Sequence, residues 1–126
     1  MKHIINTENA PAPIGPYNQA VKSAHLLYTS GQIPIDPATG DLVSGGIREQ
    51  TIQVMENLKC VLESVDSTLE DVIKTTVFLA DLADFAEFNI VYAEYFIEEN
   101  APARSTVQVS GLPKGARVEI ELVAKC

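Results

Sequence analysis

The sequence predicts an α+β fold in which two helices cover one face of a five- or six-stranded sheet. Three observations point to it. Short β-branched runs alternate with long amphipathic ones from end to end. Turn signals separate them, with no linker, internal repeat or low-complexity tract between. The length, 126 residues, suits one domain with a real core and is too short for two.

In chain order, Met1–Ala10 has no apolar stretch behind its charged residues, so no signal peptide is expected. Pro11 to Pro16, with its prolines and glycine, should form a rigid extended loop. Two short strands are expected at Asn18–Lys22 and Leu26–Ser30, joined by a tight turn near Ser23 and Ala24. Gly31 to Gly46 reads as a loop, with a turn at Asp36-Pro37-Ala38-Thr39-Gly40. From Gly46 to Val65, the residues Ile47, Thr51, Val54, Leu58, Val61, Leu62 and Val65 make one apolar helical stripe, for which Ser44 is a candidate N-cap. Val72–Ala80 is β-branched and apolar on both faces, as in a central strand. A second helix opens at Asp84, where Glu87 resembles the far half of a capping box, and Asn100-Ala101-Pro102 ends it. Phe85, Phe88, Tyr92, Tyr95 and Phe96 give this helix an aromatic side of core type.

Two strands close the chain. In Arg104–Val109, Arg104, Thr106 and Gln108 share one face; in Arg117–Ala124, Arg117, Glu119 and Glu121 oppose Val118, Ile120, Leu122 and Ala124. Helices on one side leave the other side of an apolar central strand uncovered, so a homo-oligomer is expected.

Composition narrows the function. Seventeen acids against nine Lys and Arg leave a net charge of −8, which repels phosphate backbones and anionic lipids. No apolar run approaches the roughly 20 residues that span a bilayer, and the cytosol is the expected location. Cys60 and Cys126 neither frame a disulfide scaffold nor have metal-ligand spacing. With His3 and His25 the only histidines, and no G-x-S-x-G, Walker, G-x-G-x-x-G or H-E-x-x-H motif, chemistry must come from Arg, carboxylate, hydroxyl, amide and water.

One pair has that character. Arg104 opens a strand behind Pro102-Ala103, and Glu119 sits between Val118 and Ile120. A guanidinium binds a carboxylate through two parallel charge-assisted bonds, and a carboxylate can polarise water or stabilise an iminium. Spacing alone leaves a cross-strand salt bridge as the other reading, contributing under about 1 kcal/mol.

The stretch Pro102-Ala-Arg104-Ser-Thr-Val107, then Leu112-Pro-Lys-Gly-Ala and Val118-Glu119-Ile120-Glu121, resembles the C-terminal signature of the RidA/YjgF family of reactive-intermediate deaminases. Upstream, Ile14-Gly-Pro-Tyr17 with Gln19-Ala20, Thr29-Ser30-Gly31-Gln32-Ile33-Pro34, Lys74-Thr-Thr-Val-Phe78 with Asp81-Leu82, and Asp84-Phe85 with Asn89 are similar to the family's other blocks. The resemblance implies a chorismate-mutase-like fold, one mixed sheet of about six strands with two helices on one face. It also implies a homotrimer with clefts between neighbouring subunits.

The activity implied is hydrolysis of 2-iminobutanoate and 2-iminopropanoate to 2-keto acids and ammonia, with no cofactor and no metal. Matched residue by residue, Arg104 anchors the carboxylate and Glu119 positions water. Ser30 and Gly31 line the pocket, Tyr17 forms a wall from the adjacent chain, and Asn89 lies nearby. Many relatives carry Cys two residues after the anchoring Arg, where this chain has Thr106, so a thiolate nucleophile is not expected there. A non-catalytic module binding small carboxylates is the alternative. RNA cleavage, also attached to the family, fits poorly with a charge of −8 and two histidines.

Overall fold

A computed structural model describes residues 1–126. It contains strands β1 (Lys2–Ile5), β2 (Ala20–Ser23) and β3 (Leu26–Thr29), helix α1 (Ile47–Glu63), strand β4 (Val72–Leu79), helix α2 (Phe85–Tyr95), and strands β5 (Ala103–Gln108) and β6 (Val118–Lys125). The strands form one sheet in the order β1-β2-β3-β6-β4-β5. Every neighbouring pair is antiparallel except β4 and β5, which run parallel.

This order explains why both helices share a face. Strand β6 is antiparallel to both β3 and β4, so β3 and β4 run the same way. The connections β3-α1-β4 and β4-α2-β5 are therefore both parallel crossovers, stepping in the same direction across the sheet. Such crossovers are right-handed in nearly all folds, which puts both helices on one side. The expected two-helix layer is present, and the core lies beneath it: Val54, Leu58 and Leu62 of α1 and Phe88 of α2 pack with Val77, Leu79, Ile120 and Ala124 of the sheet.

Local chemistry departs from the expectations at five places, one of them the end of α2, which stops at Tyr95 because Phe96 is extended, short of the expected Asn100-Ala101-Pro102. Strand β1 was not foreseen in the N-terminal segment; its His3–Lys22 and Ile4–Val21 pairs extend the sheet to six strands. Gly46, rather than Ser44, caps α1, and the Glu49 carboxylate accepts from the Gly46 N–H at 2.8 Å. Nor does Asp84 cap α2 with its side chain. A 3-10 turn at Leu82–Asp84 precedes the helix, and Asp81 Oδ1 accepts from the Ala83 N–H at 2.8 Å. Finally, β5 and β6 are separated by β4, so a direct cross-strand pair between Arg104 and Glu119 does not form.

Buried polar side chains hold the irregular segments. Gln19 accepts from the Thr7 N–H at 2.6 Å and donates to the carbonyls of Thr7, Ala10 and Pro11, fixing the proline-rich loop. Asn57 donates from α1 to the Ile35 carbonyl at 2.9 Å, fixing the loop after β3. Buried amides of this kind are stabilising because the loop carbonyls have lost water. Asn57→Ala should therefore cost about 1–3 kcal/mol, the penalty for a stranded buried acceptor, read as a lowered melting temperature.

Candidate active site

Alternation along β5 and β6 assigns each candidate residue to a face. Arg104 pairs with Thr75, and Thr106 with Val77. Both partners are buried beneath the helices, so Arg104 and Thr106 point towards α2. Glu119 pairs with Phe78 and Glu121 with Thr76, on the opposite, open face. Within one chain the two principal candidates are thus on opposite sides of the sheet, and they form two separate clusters.

The first cluster surrounds Arg104. Its Nη1 donates to Asn89 Oδ1 at 2.8 Å. The guanidinium carbon lies 4.7 Å from the ring centroid of Tyr92, 5.5 Å from that of Phe85 and 5.8 Å from that of Phe88. These three rings, read from the sequence as core aromatics, form a cage; their i, i+3, i+7 spacing puts them on one face of the helix, and the fold lays that face over Arg104. The Tyr92 hydroxyl is hydrogen-bonded to Thr75 Oγ1 at 2.8 Å, which fixes the ring nearest the guanidinium. Burial, the largest cause, pushes the Tyr92 phenol up from its ordinary pKa, so it stays neutral at physiological pH.

No carboxylate joins this cluster. The chain has three arginines. Arg48 pairs with Glu87 at 3.9 Å and Arg117 with Asp84 at 3.5 Å, whereas Arg104 has no ion-pair partner. The two acids closest along α2 to the cage are therefore engaged by other arginines. Beside Arg104, Thr106 Oγ1 is buried and has no hydrogen-bond partner, alone among buried side-chain polar atoms.

The second cluster surrounds Glu119. Gln32 and Ile120 exchange backbone hydrogen bonds at 2.8 and 3.1 Å, which holds Gly31 directly against the Glu119 side chain. A Cβ at residue 31 would overlap the Glu119 carboxylate, coming within 2.8 Å of its Cδ, so any larger residue there would displace that side chain. Ser30 is already engaged: its hydroxyl donates to the Asn18 carbonyl at 2.6 Å and so holds the end of the Tyr17 loop. Tyr17 is half-exposed, and with Ile14, Gly31 and Ile33 it lines a narrow cleft of about 40 Å³. Larger clefts lie elsewhere, such as one of about 370 Å³ beside Lys59 and Glu70, away from every candidate.

Burial, with the Glu121 carboxylate as a second cause, raises the Glu119 pKa above the ordinary 4.5. The folded chain then binds this proton more tightly than the unfolded one. The group's effect on stability is accordingly unfavourable as pH rises from 4.5 through the folded pKa. A carbon-13 titration of the Glu119 carboxyl in ligand-free protein should show a midpoint above 4.5, moved part of the way back by Glu121→Gln. A midpoint at or below 4.5 would contradict this environment.

Comparison with known proteins agrees with the geometry. The family described as Endoribonuclease L-PSP matches residues 7–126. A RutC family protein of Pyrococcus horikoshii is 57% identical over 124 residues, covering 98% of each chain. Human 2-iminobutanoate/2-iminopropanoate deaminase is 47% identical over 124 residues, covering 98% of this chain and 90% of that one. The solved Rid protein YyfA of Yersinia pestis superposes with a TM-score of 0.97 at 49% identity, over the full length of both chains. A sheet of this strand order, the motifs placed along it and identities of this size over nearly every residue lead to one assignment: the chain belongs to the RidA/YjgF family.

Proposed function

We propose that this protein hydrolyses small 2-imino acids, of the 2-iminobutanoate and 2-iminopropanoate type, to 2-keto acids and ammonia. The observation that carries the proposal is Arg104: a half-buried guanidinium without a counter-ion in a molecule of net charge −8. Such a group attracts a small carboxylate strongly, and the bidentate fork orients it. The deaminase name borne by human and mouse relatives at 47% and 45% identity supports the same chemistry.

The site would be shared between copies. Arg104, Thr106 and Asn89 face the helix layer, while Glu119, Gly31 and Tyr17 belong to the other cluster, so one chain does not supply both. The open sheet face carries Ile4, Val21, Tyr28, Val123 and Val107, with Tyr28 47% and Val107 44% exposed, a surface that a second copy would cover. In the homotrimer proposed here, three such contacts would bring each Arg104 cluster to a neighbour's Glu119 cluster.

In that cleft, Arg104 binds the substrate carboxylate and the Thr106 hydroxyl donates to it. Glu119 accepts a proton from water as the water oxygen bonds to the C=N carbon, giving a carbinolamine. That proton goes to the imine nitrogen; Glu119 then moves the carbinolamine hydroxyl proton to the amine, the C=O bond forms as the C–N bond breaks, and ammonia leaves with the keto acid behind. A carboxyl with a raised pKa is suited to this exchange, since its acid and base forms lie closer in energy at neutral pH. Tyr17 forms a wall of the cleft and Gly31 brings the backbone close to the Glu119 carboxylate. Imines hydrolyse unaided, so positioning and electrostatics suffice.

Three measurements test this. In a coupled dehydratase assay with semicarbazide competing for the imine, Arg104→Ala should lose the accelerated release of keto acid; undiminished acceleration would refute the anchoring role. Sedimentation should give three times the 13.7 kDa chain mass. Refolding Arg104→Ala together with Glu119→Gln should restore part of the activity that each lacks alone, because mixed assemblies contain clefts with both residues intact. No recovery would place the site within one chain.

A further inference from the structure

We propose that Asn89 is a positioning and specificity residue whose essential property is neutrality: it orients Arg104 without cancelling its charge. The inference rests on the carboxylate-anchoring function proposed for Arg104 and goes further by explaining how that charge is kept available.

Phe85, Phe88, Asn89 and Tyr92 occupy one stripe of α2, directly over Arg104 on β5. Every group in contact with the guanidinium is uncharged. Ring faces attract a cation through their quadrupoles yet carry no net charge. Asn89 Oδ1 accepts from Nη1 at 2.8 Å. The opposite anchor is also neutral: Tyr92 is tied to Thr75, which stands beside Arg104 in the β4–β5 register, so ring and guanidinium are referred to the same pair of strands.

The choice of an amide is informative because an isosteric alternative exists. Aspartate has the same shape, and its oxygen would form a shorter, charge-assisted bond to the same nitrogen. For holding a half-buried cation, aspartate is the better tether. It would also be the counter-ion that the substrate has to displace. Asp84, just before α2, and Glu87 on it are each turned to another arginine, which leaves the same result. With seventeen acids in the chain, a neutral environment around this one cation is a selective feature of the fold. It makes the incoming carboxylate the counter-ion and so favours anionic imino acids over neutral imines.

The test compares Asn89→Asp, Asn89→Ala and Arg104→Ala with wild type, using semicarbazide-competition kinetics and calorimetric binding of 2-oxobutanoate. Asn89→Asp should raise KM and weaken 2-oxobutanoate binding by about 10–100-fold, the range of one hydrogen-bonded charge interaction. Its kcat should change little and its melting temperature should equal or exceed that of wild type. Asn89→Ala should impair binding less than Asn89→Asp does, although it removes the tether. A purely structural tether demands the reverse order, with aspartate equal to wild type and alanine worse, and that result overturns the proposal. So does an Asn89→Asp chain that fails to fold, because aspartate should satisfy the tether. Loss of acceleration in Arg104→Ala with wild-type behaviour in Asn89→Asp leaves the proposed function standing and removes this inference. Retained acceleration in Arg104→Ala removes both.

Discussion

Holding a cation half out of water without a counter-ion costs free energy, and the geometry around Arg104 is organised to offset that cost. The nearest ring, Tyr92, lies 4.7 Å from the guanidinium carbon, and contacts of this kind contribute about 0.5–2 kcal/mol each. The Asn89 oxygen supplies one strong acceptor. Both come from α2, so the cage exists only because α2 lies across β5, and α2 lies there because it connects β4 to β5 in a parallel crossover. A carboxylate partner would stabilise the guanidinium more. It would also occupy the fork to which the proposed function assigns the substrate carboxylate.

The second constraint is the period of two along a strand. In β6, Val118, Ile120, Leu122 and Ala124 are buried under the helices, which forces Glu119 and Glu121 to the other side. Arg104, one strand beyond β4, is directed to the helix side by the same rule. The two groups that the proposed reaction would use are thereby divided by the thickness of the sheet. In the proposed function a cleft containing both would need a second copy, and the apolar residues on the open face would give that copy a surface to bury.

Around these features, neutral polar side chains do quiet structural duty. Ser30, adjacent to Gly31, spends its hydroxyl on the Asn18 carbonyl. Gln19 ties three carbonyls of the loop that presents Tyr17. Gln50 accepts from the Arg117 N–H at 2.8 Å, steadying the entry to β6. These contacts give the open-face cluster a frame made of backbone and amides rather than ion pairs.

Much of this was legible in the linear sequence. The stripe Ile47, Thr51, Val54, Leu58, Val61 and Leu62 located α1, the β-branched run from Val72 located β4, and the alternation of Val118 to Ala124 assigned the faces of β6, because helical and strand periods are written directly into residue spacing. The blocks around Tyr17, Gly31, Arg104 and Glu119, which resemble those of the RidA/YjgF family, pointed to that family. What the spacing did not carry is everything set by partners distant along the chain. Strand β1 forms because Ala20–Ser23 is there to pair with it, not through strong propensity of its own. The interposition of β4 between β5 and β6 removed the direct Arg104–Glu119 bridge, and the neutrality around Arg104 arose from which acid each arginine met after folding. Local periodicity is a property of neighbours in sequence; strand order and charge pairing depend on long-range contacts, and only the tertiary structure decides those.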